Sequence, residues 1–244
     1  MNLQVDTLSF SFGEQLILDR LSFAAEAGEF ISILGPSGCG KSTLLNILAG
    51  LLPPADGAVL LDNQPLSGLS PHVAYMPQED LLMPWRTVLD NVCLPLLLRK
   101  VDRATARRQA LAHFAEFGLA GYEDVYPDQL SGGMRQRAAF LRTVLSDAQI
   151  LLLDEPFGAL DAITRQRLQI WLADLRWRLG RTIVLVTHDI DEAVFLADRI
   201  YVLSQRPARI QLEIAVTTPA QKRNWEWLLA AGETKQRIYA ALEV

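Results

Sequence analysis

Hydrophobic and polar positions alternate at the start of the chain, with Leu3, Val5, Leu8, Phe10 and Phe12 on the apolar side. Together with a turn at Phe12-Gly13-Glu14 and a second apolar set at Ile17, Leu18, Leu21 and Phe23, this predicts short antiparallel strands. The pattern then changes. Phe30 to Leu34 is a continuous apolar run bounded by glycines, which predicts a buried strand. A glycine-rich loop follows, and Ser42 to Leu51 reads as a helix stopped by Gly50 and Pro53-Pro54. Val59 to Leu61 and Val73 to Met76 are strand-like. From about 81 to 146 helical character takes over. Arg103 to Phe117 is amphipathic, with Ala104, Arg107, Arg108 and Glu116 on its polar side, and Gly132 to Leu145 is a second strong helix. Buried-strand runs return at Ile150 to Leu153, Ile183 to Val186 and Ile200 to Leu203. Between them lie a helix from Ala162 to Leu179, ended by Gly180, and one from Asp189 to Leu196, where Asp189 and Glu192 have capping-box spacing. Buried strands alternating with helices imply a largely parallel sheet covered on both faces.

Composition narrows the function. The 244 residues are 50% hydrophobic and 21% charged, enough apolar material for one large α/β domain. A net charge of -5 disfavours a general nucleic-acid binder, which needs a basic face. Two cysteines, Cys39 and Cys93, make no disulfide framework and suit a reducing compartment. Met1 is followed by Asn2, Gln4 and Asp6 and not by a basic and then an apolar stretch, so no secretory signal is expected. The apolar runs fall far short of the roughly 20 residues that span a bilayer, so a partner would have to hold the chain at a membrane.

Two motifs carry chemistry. Gly35-Pro36-Ser37-Gly38-Cys39-Gly40-Lys41-Ser42 fits G-x-x-x-x-G-K-[ST] between a predicted strand and a predicted helix. Glycines let successive backbone N–H groups turn inward around an anion, and the helix adds its positive end. Lys41 can then reach the β- and γ-phosphates, and the Ser42 hydroxyl can meet Mg²⁺. Further on, Leu151-Leu152-Leu153-Asp154-Glu155 places two carboxylates at the end of a buried strand, the edge where open α/β sheets bind ligands. Asp154 is a candidate for the metal, and Glu155 for orienting and deprotonating a water. Alone, such a pair can equally cap the next turn.

Leu130-Ser131-Gly132-Gly133-Met134-Arg135-Gln136-Arg137 closely resembles the LSGGQ signature of ABC-transporter ATPases, with Met134 where glutamine is common. Ser131, Gly132 and Gly133 also open a helix, and so form a second phosphate-type site, with Ser131 as an ordinary cap besides. The resemblance covers about residues 1–215. It implies a P-loop NTPase (RecA-like) α/β core with a mostly parallel sheet, an antiparallel β edge subdomain and a helical insert at about 81–146, followed by a helical tail at 216–244. It also implies ATP and Mg²⁺ as cofactors, with Thr43 continuing the phosphate loop and Gln78 contacting Mg²⁺ and sensing a membrane subunit. Asp161, in Ala159-Leu160-Asp161, resembles the loop coupling two sites, and His188 the switch that touches the γ-phosphate. Phe12 is either the aromatic that stacks on adenine or an edge-strand core residue.

The family works as a head-to-tail homodimer on transmembrane permease subunits, at the cytoplasmic face of the membrane and without nucleic acid. Asp80 to Val88 and Glu155 to Ala162 resemble importers for nitrate, sulfonates, taurine and thiamine-pyrimidine precursors, which implies an extracytoplasmic solute-binding protein as an indirect partner. The apolar stretch with Trp85 and Arg86 is expected to face a permease, or else to be a loop over the insert. A small-molecule kinase would need neither Ser131-Gly132-Gly133 nor His188. Soluble relatives in DNA repair or translation carry paired cassettes or a coiled coil. An exporter or lipid-extraction motor stays open. His72 and His113 read as surface residues, Cys93 as a buried apolar group, and Trp225, Trp227, Leu228, Ile238 and Leu242 as the apolar side of tail helices.

Overall fold

The computed structural model describes residues 1–218 and 223–242, without the side chains of 175–177, 179 and 225. The strands are β1 (Leu3–Phe12), β2 (Gln15–Ala25), β3 (Phe30–Leu34), β4 (Asp56–Leu61), β5 (Gln64–Pro65), β6 (Val73–Met76), β7 (Ile150–Asp154), β8 (Thr182–Val186), β9 (Arg199–Leu203) and β10 (Ile210–Ala215). The helices are α1 (Lys41–Leu48), α2 (Val88–Val92), α3 (Leu94–Leu98), α4 (Arg103–Phe114), α5 (Gly132–Val144), α6 (Ala162–Leu179), α7 (Ile190–Leu196), α8 (Trp225–Ala230) and α9 (Gly232–Leu242).

An antiparallel sheet runs β2-β1-β4-β5, and a six-stranded sheet runs β10-β9-β3-β8-β7-β6. All pairs in the second sheet are parallel except β10 on β9. Every residue of β3, β7 and β8 is buried, as the unbroken apolar runs predict. The strand period of two divides them between two cores. Phe30, Leu34, Leu151, Leu153, Ile183 and Leu185 face the helices of 88–144 together with α6 and α7. Ile31, Ile33, Ile150, Leu152, Val184 and Val186 face α1 and the antiparallel sheet. Parallel pairing brings the C-terminal ends of β3, β6, β7 and β8 to one edge, where the chemistry-bearing residues follow.

Helix α1 is shorter than its pattern suggests. The N–H of Leu51 bonds the Asn46 carbonyl at 2.9 Å and that of Gly50 the Ile47 carbonyl at 3.0 Å, a left-handed helix end that Gly50 permits at φ +74°. A Cβ there would come within 2.0 Å of the Gly68 carbonyl, so the backbones could not meet. The helix from Arg103 ends at Phe114, and strand β10 was not anticipated. Asp189 caps α7 through the N–H groups of Asp191 and Glu192, but Glu192 does not complete the box. Its carboxylate turns inward to the Thr187 hydroxyl (2.7 Å) and Gln169 Nε2 (3.1 Å), because both lie buried beneath the helix.

An aromatic cluster joins α5, α6 and the segments after α4 and β7: Phe117, Phe140, Phe157 and Trp171 meet at centroid distances of 4.8–6.0 Å. This fastens α5 both to α6 and to the turn after β7. His113 is half-buried, not a surface residue, edge-on to Trp171 at 6.2 Å and 3.6 Å from Glu116. His72 is exposed and Cys93 buried, as expected. The tail forms α8 and α9 and docks on the domain: Leu228 and Ile238 join the core, and Trp227 and Leu242 pack against it. The Trp225 side chain lies outside those described. Buried Arg223 donates to the carbonyls of Phe195 (3.1 Å) and Ala197 (2.6 Å) at the end of α7, while Lys235 pairs with Asp191 in its first turn at 2.8 Å.

Candidate nucleotide site

The turn after β3 runs Gly35, Pro36, Ser37, Gly38, Cys39, Gly40 into α1. Gly40 has φ +121°, and a Cβ on it would lie 2.8 Å from Ile17 Cγ2 and 2.9 Å from Leu18 Cδ2. Backbone conformation and packing therefore both require glycine. No side chain caps the start of α1, so its first N–H groups face outward as anion donors. Lys41 is buried, and its ammonium donates to the carbonyls of Gly35 (2.8 Å) and Pro36 (2.9 Å), which holds a cation inside the turn. Ser42 and Thr43 follow in the same helical turn. Burial pushes the Cys39 thiol up from its ordinary value, so it stays protonated at neutral pH and is no nucleophile.

Asp154 closes β7 and is buried. Burial pushes its carboxyl above the usual carboxylate range; the Ser42 hydrogen bond opposes this, Glu155 adds to it and Lys41 opposes it. Its Oδ2 has no hydrogen-bond partner. Glu155 adopts a left-handed backbone, φ +48°, which turns its side chain back over the sheet edge. Its N–H is fixed on the Val186 carbonyl at 2.9 Å. Its carboxylate meets Gln78 Nε2 at 3.5 Å and His188 Nδ1 at 3.1 Å. Two residues, from the ends of β6 and β8, thus converge on the carboxylate that follows β7.

A residue inside the signature, to which the sequence pattern assigns no role, holds this turn in place. Gln136 is buried on α5, donates to the Glu155 carbonyl at 2.8 Å and accepts from the Ala159 N–H at 2.9 Å. A glutamine on the buried, mostly apolar face of this helix is the signal the sequence offers. Ser131 caps α5 by accepting the Met134 N–H at 3.3 Å, and Gly132 begins the helix. A Cβ on Gly133 would come 3.1 Å from the Ala159 carbonyl, so this helix start lies tight on the turn after Glu155. Asp161 accepts the Thr164 N–H at 3.0 Å, and that bond holds its carboxyl below the usual range.

The loop after Gln78 is clamped to the same helix. Arg135 reaches the Asp80 carboxylate at 3.1 Å, and Arg142 donates to the carbonyls of Asp80 and Leu81, each at 2.7 Å. Leu81 and Trp85 stay exposed beyond this clamp, Trp85 at 73%. Phe12 ends β1 at 54% exposure, edge-on to Phe10 at 4.9 Å, which removes the reading of it as a core residue. Among the described residues, no hydrogen bond or ion pair joins Ser131, Gly132, Gly133 or Asp161 to the turn of Gly35–Thr43. The fold brings the Gly35–Thr43 turn, Asp154, Glu155, Gln78 and His188 to one edge, while the second helix start packs on the turn after Glu155.

The chain is similar to known proteins over most of its length. The family profile described as ABC transporter matches residues 18–158. The formylaminopyrimidine import ATP-binding protein ThiZ of Halalkalibacterium halodurans is 41% identical over 222 residues, 91% of this chain and 87% of that one. The taurine import ATP-binding protein TauB of Pseudomonas aeruginosa is 42% identical over 242 residues, 98% of this chain and 89% of its own. Among solved structures, the dimeric ATP-binding cassette MJ0796 with ADP and phosphate superposes with a TM-score of 0.80 at 31% identity, covering 88% of this chain and 99% of its own. With a P-loop NTPase fold, a phosphate turn and these relatives over most of its length, the chain belongs to the ABC transporter family and is an ATP-binding subunit that couples ATP hydrolysis to transport.

Proposed function

We propose that this subunit drives import of a small solute, and that the convergence of Gln78 and His188 on Glu155 above Asp154 marks its hydrolytic centre. In this reading Gly35–Thr43 cradle the phosphates and Lys41 exchanges its two carbonyl partners for the β- and γ-oxygens. Phe12, exposed at the end of β1, stacks on adenine. The Mg²⁺ expected of such ATPases would be held by Ser42, Asp154 and Gln78. The orphaned, buried Oδ2 of Asp154 fits that role, since Mg²⁺ takes one or two carboxylates plus substrate oxygens and water. Bound there, the metal neutralises charge on the phosphates. Glu155 orients the attacking water and takes its proton, while His188 meets the γ-phosphate.

The second helix start, Ser131–Gly133, shares no hydrogen bond with its own chain's phosphate turn among the described residues and suits the γ-phosphate held by a partner copy, with Asp161 linking the two sites. Removal of that phosphate opens the dimer. Trp85 and Leu81 offer an apolar surface to a permease at the cytoplasmic face of the membrane, fed by an extracytoplasmic solute-binding protein. No helix among the described residues is long and apolar enough to cross a membrane, so a permease partner is needed there. Relatives named for formylaminopyrimidine and taurine import support this reading over an exporter or lipid-extraction motor, and suggest a small polar organic cargo.

Complementation tests the shared site. In a heterodimer of a Lys41→Ala chain with a Ser131→Arg chain, one composite site carries both lesions and the other none. ATPase activity should return in the mixture where each variant alone lacks it. Full activity of the Ser131→Arg homodimer would remove Ser131 from the reaction.

A further inference from the structure

The loop between β9 and β10, Ser204-Gln205-Arg206-Pro207-Ala208-Arg209, takes no part in the chemistry above, yet its tip touches the phosphate turn. Its base is closed by mutual bonds: Ser204 N–H to the Arg209 carbonyl and Arg209 N–H to Ser204 Oγ, both 2.9 Å. It is pinned to β2 as well. The Ala208 N–H donates to the Ile17 carbonyl at 2.8 Å, the Asp19 N–H to the Ala208 carbonyl at 3.0 Å, and the Arg209 guanidinium closes on the Asp19 carboxylate. From this anchored base Arg206 extends to the Gly38 carbonyl oxygen, with Nε at 2.8 Å and Nη2 on the same oxygen.

We propose that Arg206 is a positioning residue for phosphate binding: by gripping the Gly38 carbonyl it fixes the Gly38–Cys39 peptide so that the Cys39 N–H faces the phosphates. This rests on the reading that Gly35–Ser42 holds the phosphates of ATP. In a planar trans peptide the C=O and the following N–H point in opposite directions, so anchoring one aims the other. The Cys39 N–H meets the Pro36 carbonyl at 3.3 Å, the same oxygen that Lys41 Nζ holds at 2.9 Å, so it already lies on the lysine side of the turn. That long bond is readily exchanged for a phosphate oxygen. Gly38, at φ +75° and with no Cβ, has little intrinsic resistance to a peptide flip. Arg206 supplies the resistance from outside, and its charge polarises the peptide, which makes the N–H a better donor. A residue in this role acts on the phosphates through the peptide and touches neither adenine nor the reacting atoms.

Calorimetric titration of the full chain with ATP and, separately, with inorganic triphosphate tests this. Arg206→Ala should weaken both ligands by a similar factor, about tenfold, with kcat for ATP hydrolysis little changed and KM raised. The melting temperature of the nucleotide-free protein should stay at the wild-type value, because the loop base is held by Arg209 and Ala208. Arg206→Lys should recover part of the affinity, as a single ammonium still reaches one carbonyl. If Arg206→Ala binds both ligands as tightly as wild type while Lys41→Ala loses them, the proposal falls and the phosphate-turn reading stands. If Lys41→Ala also binds normally, that reading falls and takes the proposal with it. If Arg206→Ala lowers the melting temperature, and Arg206→Lys restores stability but not affinity, the residue only packs the loop and the proposal is overturned.

Discussion

Replacing Asp154 by asparagine should stabilise the resting protein while abolishing its ATPase activity. The carboxylate is buried, one oxygen lacks any partner, and burial is the largest influence on its titration. An unsatisfied buried polar group costs about 1–3 kcal/mol, more when charged. Asparagine keeps the shape and discards the charge, so a gain of about 1–2 kcal/mol is expected, or roughly 2–8 °C in a chain of this size. The sign with pH follows from the raised pKa. Below about pH 4, the ordinary pKa of aspartate, folded and unfolded wild type both hold the proton, and the variant gains little. Above that pH the unfolded chain sheds its proton first and wild-type stability falls until the folded carboxyl ionises too. The advantage of Asp154→Asn should therefore grow from pH 4 upward and then level off. Thermal unfolding with chelator and without nucleotide, from pH 4.5 to 8.5, measures it. In Mg²⁺ and ATP the order should reverse, since ligand binding stabilises only the chain that can bind it. A variant less stable than wild type at pH 8 without metal, or an advantage that shrinks as pH rises, would refute the reasoning.

Three other changes probe different parts of the site. Glu155→Gln keeps shape but cannot accept a proton, so it should bind ATP, run as a dimer on gel filtration in ATP and be nearly inactive; a wild-type rate would move the base elsewhere. Trp85→Ala, at a largely exposed position, should change stability by no more than about 0.5 kcal/mol and leave ATP binding intact while reducing co-purification of a permease; an unfolded variant would make Trp85 a core residue. Gln136→Ala strands the Glu155 carbonyl and the Ala159 N–H, so thermal denaturation should show a loss of about 1–3 kcal/mol, with kcat falling more than ATP affinity. Unchanged kcat would mean that the Glu155 turn holds itself.

What the sequence made legible was whatever is encoded by neighbours along the chain. The unbroken runs of β3, β7 and β8 show both-face burial directly, and Gly35–Ser42 and Asp154-Glu155 are contiguous, so the local order of residues already contains these two parts of the candidate site. The alternation of Ile210, Leu212 and Ile214 is a weak signal, since at that sheet edge only Ile214 is fully buried. Contacts between distant segments left no local trace. Gln136 under Glu155, Glu192 turned toward Thr187 and Gln169, and Arg206 on Gly38 each depend on which elements the fold stacks together. His113 looked like a surface histidine because its neighbour Trp171 lies on another helix.

The docking of α8 and α9 on α7 bears on the order in which the protein is made. His188 and Asp189 leave the ribosome well before Arg223 and Lys235, yet these later residues hold the two ends of the helix that Asp189 begins: Arg223 on its last carbonyls, Lys235 on Asp191. A nascent chain that has finished its central sheet still lacks both fastenings. During synthesis His188 is therefore followed by a helix without its end supports, and the turn of Gly35–Ser42 is made well before the segment that carries His188 is fastened.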